Sequence, residues 1–275
     1  MSQPIDARGE YVLGYGDAEH GRLARQALLL APITQRLFRN AGIGPNKRVL
    51  DIGSGIGDVA LIAARLVGPS GEVVGIERDA GSIERARERA ARERLEHVTF
   101  VEADASALPA LSPFDAVVGR FVLNHNPNPA ALLRSLRRAV RPGGTVAFQE
   151  VSLSPALAVA VRLPLWEAVL RAIDETVRRS DMSPDIGLEL PGIFQGAGLP
   201  TPHLHLDMPF AHDATVIELQ IDLLRSLRPA AERHAVSLAA LGDFDTLVDR
   251  IQAAASSTYS PIPCAGVVSA WSITQ

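Results

Sequence analysis

Cysteine is nearly missing from the 275-residue chain, Cys264 being the single one. Without a second thiol no intramolecular disulfide can form, and tetrahedral thiolate metal centres are excluded with it. Lysine is as scarce: Lys47 stands alone and arginine carries the remaining positive charge, a compositional bias before it is a functional sign. No strong charge of either sign is present, the formal balance being −4. Nucleic acid and anionic membranes call for a concentrated basic surface, so neither is expected as partner. No run reaches the roughly 18 apolar residues of a membrane span. The opening "MSQPIDARGE" lacks the basic start and apolar run of a signal peptide, so the expected location is cytoplasmic. What is present is ordinary globular composition, 47% apolar and 21% charged, at a length that fits one large domain or a core with an appendage.

Between about Lys47 and Glu150 short β-rich runs alternate with helical patterns. "RVLDIG" (48–53), "EVVGIE" (72–77), "VTFVEA" (98–103), "DAVVGR" (115–120) and "TVAFQEV" (145–151) are compact, branched and apolar. Helices are predicted over 58–67, closed by Gly68, over 80–95, and over 128–141, opened by Asn128 and Pro129 and stopped at "PGG" (142–144). Continuous apolar strands separated by helices require a parallel sheet covered on both faces, which makes this an α/β, Rossmann-like doubly wound fold. Residues 20–39 read as a helical segment restarted at Pro32. After 151 the spacing of Leu165, Trp166, Val169, Leu170, Ile173 and Val177, and later of Val216, Leu219, Leu223 and Leu227, is helical. Strands at 203–210 and 265–274 complete a seven-stranded sheet whose last strand is antiparallel. The expected division is an N-terminal helical lid over 1–45, a cofactor-binding core over 46–151 and a substrate cap plus late strands over 152–275, packed as one domain with the core.

The most informative stretch is "VLDIGSGIGDVALIAARL" (49–66). Asp51 ends a buried strand, and Gly53, Gly55 and Gly57 let the backbone approach a ligand where a helix start offers unpaired N–H groups. Glu77, some twenty residues on, ends the next strand where a carboxylate can accept both hydroxyls of a ribose. Asp104, after the third strand, is placed to accept from an adenine amine. A dinucleotide fold wants a third glycine at 58, where Asp58 stands, and its pyrophosphate sits poorly beside Asp51. S-adenosylmethionine, with a sulfonium and an ammonium group and no phosphate, suits an acidic loop of this kind.

With these motifs the chain resembles the class I S-adenosylmethionine-dependent methyltransferases, in a bacterial small-molecule branch with a UbiE-like core. The resemblance covers about 20–151 in five ordered motifs: "VLDIGSGIG", "VVGIER", "FVEADAS", "FDAVVGRFVLNH" and "LLRSLRRAVRPGGTVAFQE". It implies that Gly53 and Gly55 contact the methionine part of the cofactor, with Asp51 ordering the loop or reaching the amino group through water. By the same resemblance Glu77 binds the ribose, Arg78 lies along the adenine, and Asp104 with the N–H of Ala105 reads the adenine edge. Arg120 offers its carbonyl to the ammonium, and Gln26, in the lid segment "YGDAEHGRLARQ" (15–26), holds the carboxylate.

Methyl transfer is an in-line displacement that needs alignment and exclusion of water and no metal. Acceptors that must lose a proton need a base, and His125 and Glu150, near the ends of the fourth and fifth strands, are the candidates, each with the alternative of only shaping the pocket. His203 and His205 share a strand face, with His212 following, but a third ligand and its support are not evident and no metal site is expected. The stretch "ERARERAARERLEH" (84–97) reads as a solvated face with i,i+4 pairs. Arg162, "RRS" (178–180) and "RSLRP" (225–229) would steer an anion if they faced the cleft. The expected acceptor is a small, mostly apolar molecule in a cavity furnished by cap residues such as Trp166 and Phe194, with oxygen favoured over nitrogen or carbon. A nicotinamide-dependent oxidoreductase and a non-catalytic binding module are the rivals, and monomer against homodimer stays open.

Overall fold

A computed structural model describes residues 17–108, 113–211 and 214–275. His212 and the start of the expected lid segment, residues 15–16, lie outside them. Helix α1 (Asp17–Asn40) leads into β1 (Arg48–Ile52), α2 (Asp58–Val67), β2 (Glu72–Glu77), α3 (Ala80–Arg92), β3 (Val98–Glu102) and β4 (Phe114–Arg120). A 3-10 turn (Leu123–His125), α4 (Pro129–Arg137) and β5 (Val140–Ser152) follow, then α5 (Ser154–Ala160), α6 (Pro164–Arg179) and α7 (Ile186–Gly196). The remainder is β6 (His203–Asp207), β7 (Phe210–Ala211), α8 (Ala214–Arg233), α9 (Leu247–Thr258), β8 (Ile262–Pro263) and β9 (Gly266–Ile273). Among the described residues no helix is long and apolar enough to cross a membrane.

The seven-stranded sheet runs β3-β2-β1-β4-β5-β9-β6, with β9 antiparallel to both its neighbours. The strand order reverses between β1 and β4, so the chain leaves these two strands to opposite sides and opens a crevice at their carboxyl ends. Leu50, Ile52, Val117, Val146 and Phe148 pack one face against α4 and α7, while Val49, Val73, Val118 and Ala147 pack the other against α1, α2 and α3. Both faces are therefore dry, as the apolar strands predict. A third core, built from α5, α6, α8 and α9, surrounds Trp166, whose Nε1 donates to the Pro263 carbonyl at 2.9 Å.

Several boundaries differ from expectation. Helix α1 is continuous through Pro32; the carbonyl deprived of its donor belongs to Leu28, which is 79% exposed and left to water. Helix α4 stops at Arg137, and "PGG" lies inside β5: pairing with β4 runs Phe114↔Val140 and resumes at Ala116↔Thr145, looping out the residues between. The expected strand 203–210 is split. Pairing of β6 with β9 ends at Asp207↔Val267, because Pro209 has no N–H to continue the ladder, and Phe210–Ala211 turns away to pair with Ile262–Pro263. His203 stacks on Trp271 with ring centres 5.2 Å apart and His205 meets it edge-on, which gives both rings a packing role. Trp166 fills the cap core, and Phe194 belongs to the core on the α4 and α7 face of the sheet.

Trp166→Ala should lower the stability read by denaturant unfolding by about 3–5 kcal/mol, since it empties a fully buried indole site and orphans the Pro263 carbonyl. An unchanged midpoint would contradict the assignment of this residue as the centre of the cap.

Candidate active site

The turn after β1 is held open by left-handed backbone. Gly53, Gly55 and Gly57 have φ of 63°, 51° and 87°. Gly57 also caps α2, and a Cβ there would stand 3.1 Å from the Phe100 ring and 3.2 Å from Ala86 Cβ. Glu77 fastens this turn from the neighbouring strand: Oε2 accepts from the Gly55 N–H at 3.0 Å, and Oε1 from the N–H groups of Arg78 and Asp79 at 2.7 and 3.1 Å. The three N–H groups take three of the about four lone-pair positions of a carboxylate, so at most one, on Oε2, remains for a ribose hydroxyl. Asp51 is different in kind. It is 1% exposed, and neither oxygen completes a hydrogen bond among the described residues. Burial pushes its pKa up to about 7, although the Arg120 charge and the Ala60 amide pull it down.

A small cavity opens on the turn, walled by Gly53–Ile56, Asp58, Val59, Arg120, Phe121 and Gln26. Arg120 enters it through its side chain, which the sequence reading, occupied with its carbonyl, missed: Nη1 donates to Thr34 Oγ1 at 3.1 Å and Nη2 lies 4.0 Å from Asp58. Arg89 pairs with Asp58 at 2.6 Å and donates to the Ile56 carbonyl, so this residue of the 84–97 stretch braces the glycine turn instead of facing water. Asp104 holds its own loop, accepting from Ser106 N and Oγ at 2.7 and 2.6 Å, which keeps its pKa below the ordinary range; Arg78 reaches within 3.9 Å. Ala105 is buried beside it.

A second, largely apolar cavity of about 160 Å³ adjoins the first, and Gln26 and Phe121 line both. Phe121 adopts φ 57°, a left-handed conformation costly for a bulky residue, fixed by its N–H donating to the Gln149 carbonyl at 2.8 Å. Neither the strain nor this position has a signature in the sequence. His125, from the 3-10 turn, lines the larger cavity, and burial pushes its pKa down to about 3, with the Arg78 charge adding to the effect. Its ring is therefore neutral at ordinary pH.

Glu150 corrects the pairing of His125 with a second base. It is wholly buried, lies outside the walls of both cavities, and its Oε1 accepts from Val122 N and Leu123 N at 2.8 and 2.7 Å. Burial pushes its pKa up to about 8 against the pull of those two N–H groups. Its place is under the 3-10 turn, as a fastener of the segment that carries Asn124 and His125. The arginines of the cap do not face the cleft either: Arg178 pairs with Asp174 and Asp185, Arg179 with Glu175, Arg225 with Asp222 and Arg228 with Glu232. Among the described residues no cluster of three metal-ligating side chains exists.

Residues 43–182, half of the chain, match the family model described as "Methyltransferase domain". The chain belongs to this methyltransferase family. An arsenite methyltransferase of Halobacterium salinarum is 34% identical over 152 residues, 54% of this chain and 38% of that protein. A demethylmenaquinone methyltransferase of Staphylococcus aureus is 33% identical over 119 residues, 43% and 48% of the two chains. The chain thus spans less than half the length of these curated relatives. A crystal structure of a putative methyltransferase from Bacillus halodurans superposes with a TM-score of 0.56 at 17% identity, covering 87% of this chain and 97% of that one, which shows a common fold.

S-adenosylmethionine is the cofactor of this methyltransferase, and the site fits it on its own evidence. An unpartnered carboxylate, Asp51, buried beneath a turn of glycines, is a costly feature that a cationic ligand relieves. With a pKa near 7, Asp51 gains its charge as pH rises through neutrality, so affinity for S-adenosylhomocysteine, which carries an ammonium group, should rise several-fold from pH 6 to pH 8 in calorimetric titration. Asp51→Asn should flatten that rise; an identical pH profile in the variant would contradict it. Glu150 gives a stability readout. Its folded pKa lies above the ordinary carboxyl value, so the folded state holds the extra proton between roughly 4.5 and 8, and stability falls as pH rises through that window. Glu150→Gln should therefore melt increasingly higher than the parent as pH goes from 5 to 8, and a constant difference would count against the buried neutral form.

Proposed function

We propose that this protein transfers a methyl group from S-adenosylmethionine to a small, mostly apolar organic molecule, oxygen being the favoured acceptor atom and nitrogen or carbon the alternatives. The supporting observation is the junction of two cavities across Gln26 and Phe121: one of mixed character on the glycine turn, with Asp58 and Arg120 in its wall, and a largely apolar one under the cap. When bound, S-adenosylmethionine supplies a methyl group already activated on a sulfonium. Everything else falls to the chain's own residues. Gly53 and Gly55 present backbone to the methionine part, Asp51 and Gln26 attend to its charged ends, and Glu77 takes the ribose. Arg78, Asp104 and the Ala105 N–H frame the adenine. Phe121 sets the spacing between the two cavities, and Leu29, Leu30, Ile173, Val177 and Leu223 exclude water from the acceptor side.

His125 is the polar group best placed to meet the acceptor. A ring that stays neutral offers one donor and one acceptor and little basicity, which suits orienting a hydroxyl and does not suit stripping a proton from an unactivated carbon or an ammonium. The relatives are named for arsenite and for demethylmenaquinone. An apolar wall whose single thiol is Cys264 favours an organic acceptor in this chain. A cavity of about 160 Å³ favours a small molecule over nucleic acid or a membrane surface. The division of labour between the cofactor core over 46–151 and the later cap belongs to the same reading.

Incubation with methyl-labelled cofactor and a panel of small apolar hydroxyl compounds should transfer label to some of them. His125→Ala should lower that turnover more than tenfold while S-adenosylhomocysteine affinity stays within twofold. The rate should show no inflection near pH 6.5 from His125, because the ring does not titrate there. Bound cofactor without transfer to any compound would favour a non-catalytic module, and full activity of the variant would remove His125 from the chemistry.

A further inference from the structure

Gln220, on α8, is the one amide among the residues the cap helices contribute to the apolar cavity, where its companions include Ile173, Val177, Leu219 and Leu223. It is 7% exposed, and its Oε1 has no hydrogen-bond partner among the described residues. A buried acceptor left unmatched costs free energy and persists where a ligand supplies the missing donor. The neighbouring helix α1 brings Arg22, 3% exposed, into the same cavity; the two helices are tied by the ion pair Arg25–Asp222. No carboxylate stands among the described residues of the cavity wall. Gln220 and Arg22 line the apolar cavity alone, whereas Gln26 and Phe121 line both cavities. The amide and the guanidinium therefore lie away from the junction at which the methyl group would cross.

We propose that Gln220 and Arg22 anchor a hydroxyl group of the acceptor that is distinct from the atom being methylated, so that the substrate is an apolar body carrying two polar functions. The inference rests on the reading of the larger cavity as the acceptor site. A hydroxyl matches the pair because it donates to the Gln220 oxygen and accepts from Arg22, which has only donors to give. A carboxylate would accept from Arg22 but leave the Gln220 oxygen unmatched unless the amide turned over. Anchoring at this point aligns the rest of the molecule with the junction and rejects analogues that lack the group, since they leave the Gln220 oxygen desolvated and unmatched.

The probes are 2-naphthol and naphthalene, which differ by one hydroxyl, titrated by their own fluorescence into protein saturated with S-adenosylhomocysteine. The parent protein should bind 2-naphthol about tenfold more tightly than naphthalene. Gln220→Leu, close in volume, should remove that preference while naphthalene and S-adenosylhomocysteine affinities stay within twofold, and Gln220→Glu should retain a preference for the naphthol. An undiminished preference in Gln220→Leu overturns the anchor and leaves the cavity reading standing. Loss of naphthalene binding in both variants overturns it too, since Gln220 would then only shape the wall. If the parent binds neither probe, the acceptor-cavity reading fails, and the anchor with it.

Discussion

Central strands that are dry on both faces force polar functions toward their ends. In β1 and β4, Val49, Leu50, Ile52, Val117 and Val118 are wholly buried, so the middle of these strands has no place for a ligand or a charge. At the carboxyl ends of β1 and β4, where the strand order reverses, the chain departs from this rule and buries Asp51 without a hydrogen-bond partner. Both of its oxygens are buried without a partner among the described residues, and burial pushes its pKa up to about 7. Its neighbours, the left-handed glycine turn, Arg120 and Asp58, wall a cavity, with Asp51 behind that wall and Arg89 bracing Asp58.

Three other carboxylates share one physical task around that cavity and its apolar neighbour. Glu77 accepts from Gly55, Arg78 and Asp79 N–H; Glu150 accepts from Val122 and Leu123 N–H; Asp185 accepts from Leu153 and Ser154 N–H and from the hydroxyls of Ser152 and Ser154. Each spends acceptor capacity on backbone donors of a loop that would otherwise be left with unmatched groups. The loops so fixed carry the glycine turn, the turn with His125, and the passage from β5 into the cap. Asn124 continues the pattern by exchanging two hydrogen bonds with Ser183, at 2.8 and 3.0 Å, and so joins the core to the segment between α6 and α7. The site is built on fastened loops, which is what alignment of two reactants demands.

Local signals were strong wherever the backbone itself dictates the residue. Gly53, Gly55 and Gly57 announce left-handed turns, Asn128 and Pro129 announce the start of α4, and the apolar runs of β1, β2 and β4 announce buried parallel strands. The order of these signals carried the fold and the choice of cofactor. Long-range geometry was not legible. Whether Glu150 faces ligand or a neighbouring turn depends on which face of β5 meets the 3-10 turn, and periodicity fixes alternation without saying what lies opposite. The same limit misplaced Trp166 and Phe194, apolar residues at helical spacing whose burial in separate cores follows from the packing of α6 and α7. Phe121 could not be found at all, since nothing in the identity of phenylalanine signals a positive φ. Gln220 sits among leucines in the pattern of α8 and acquires meaning only from the cavity it faces.

The proposed methyl transfer turns on one spatial relation: the bound cofactor on the glycine turn with its sulfur facing the apolar cavity across Phe121. A crystal structure with S-adenosylhomocysteine tests it directly. The relation predicts the ribose at Glu77, the amino group above Asp51, and the open side of the sulfur directed past Phe121 and Gln26 toward His125. A sulfur that faces solvent or the body of the sheet, with the apolar cavity closed off from it, would contradict the proposed transfer.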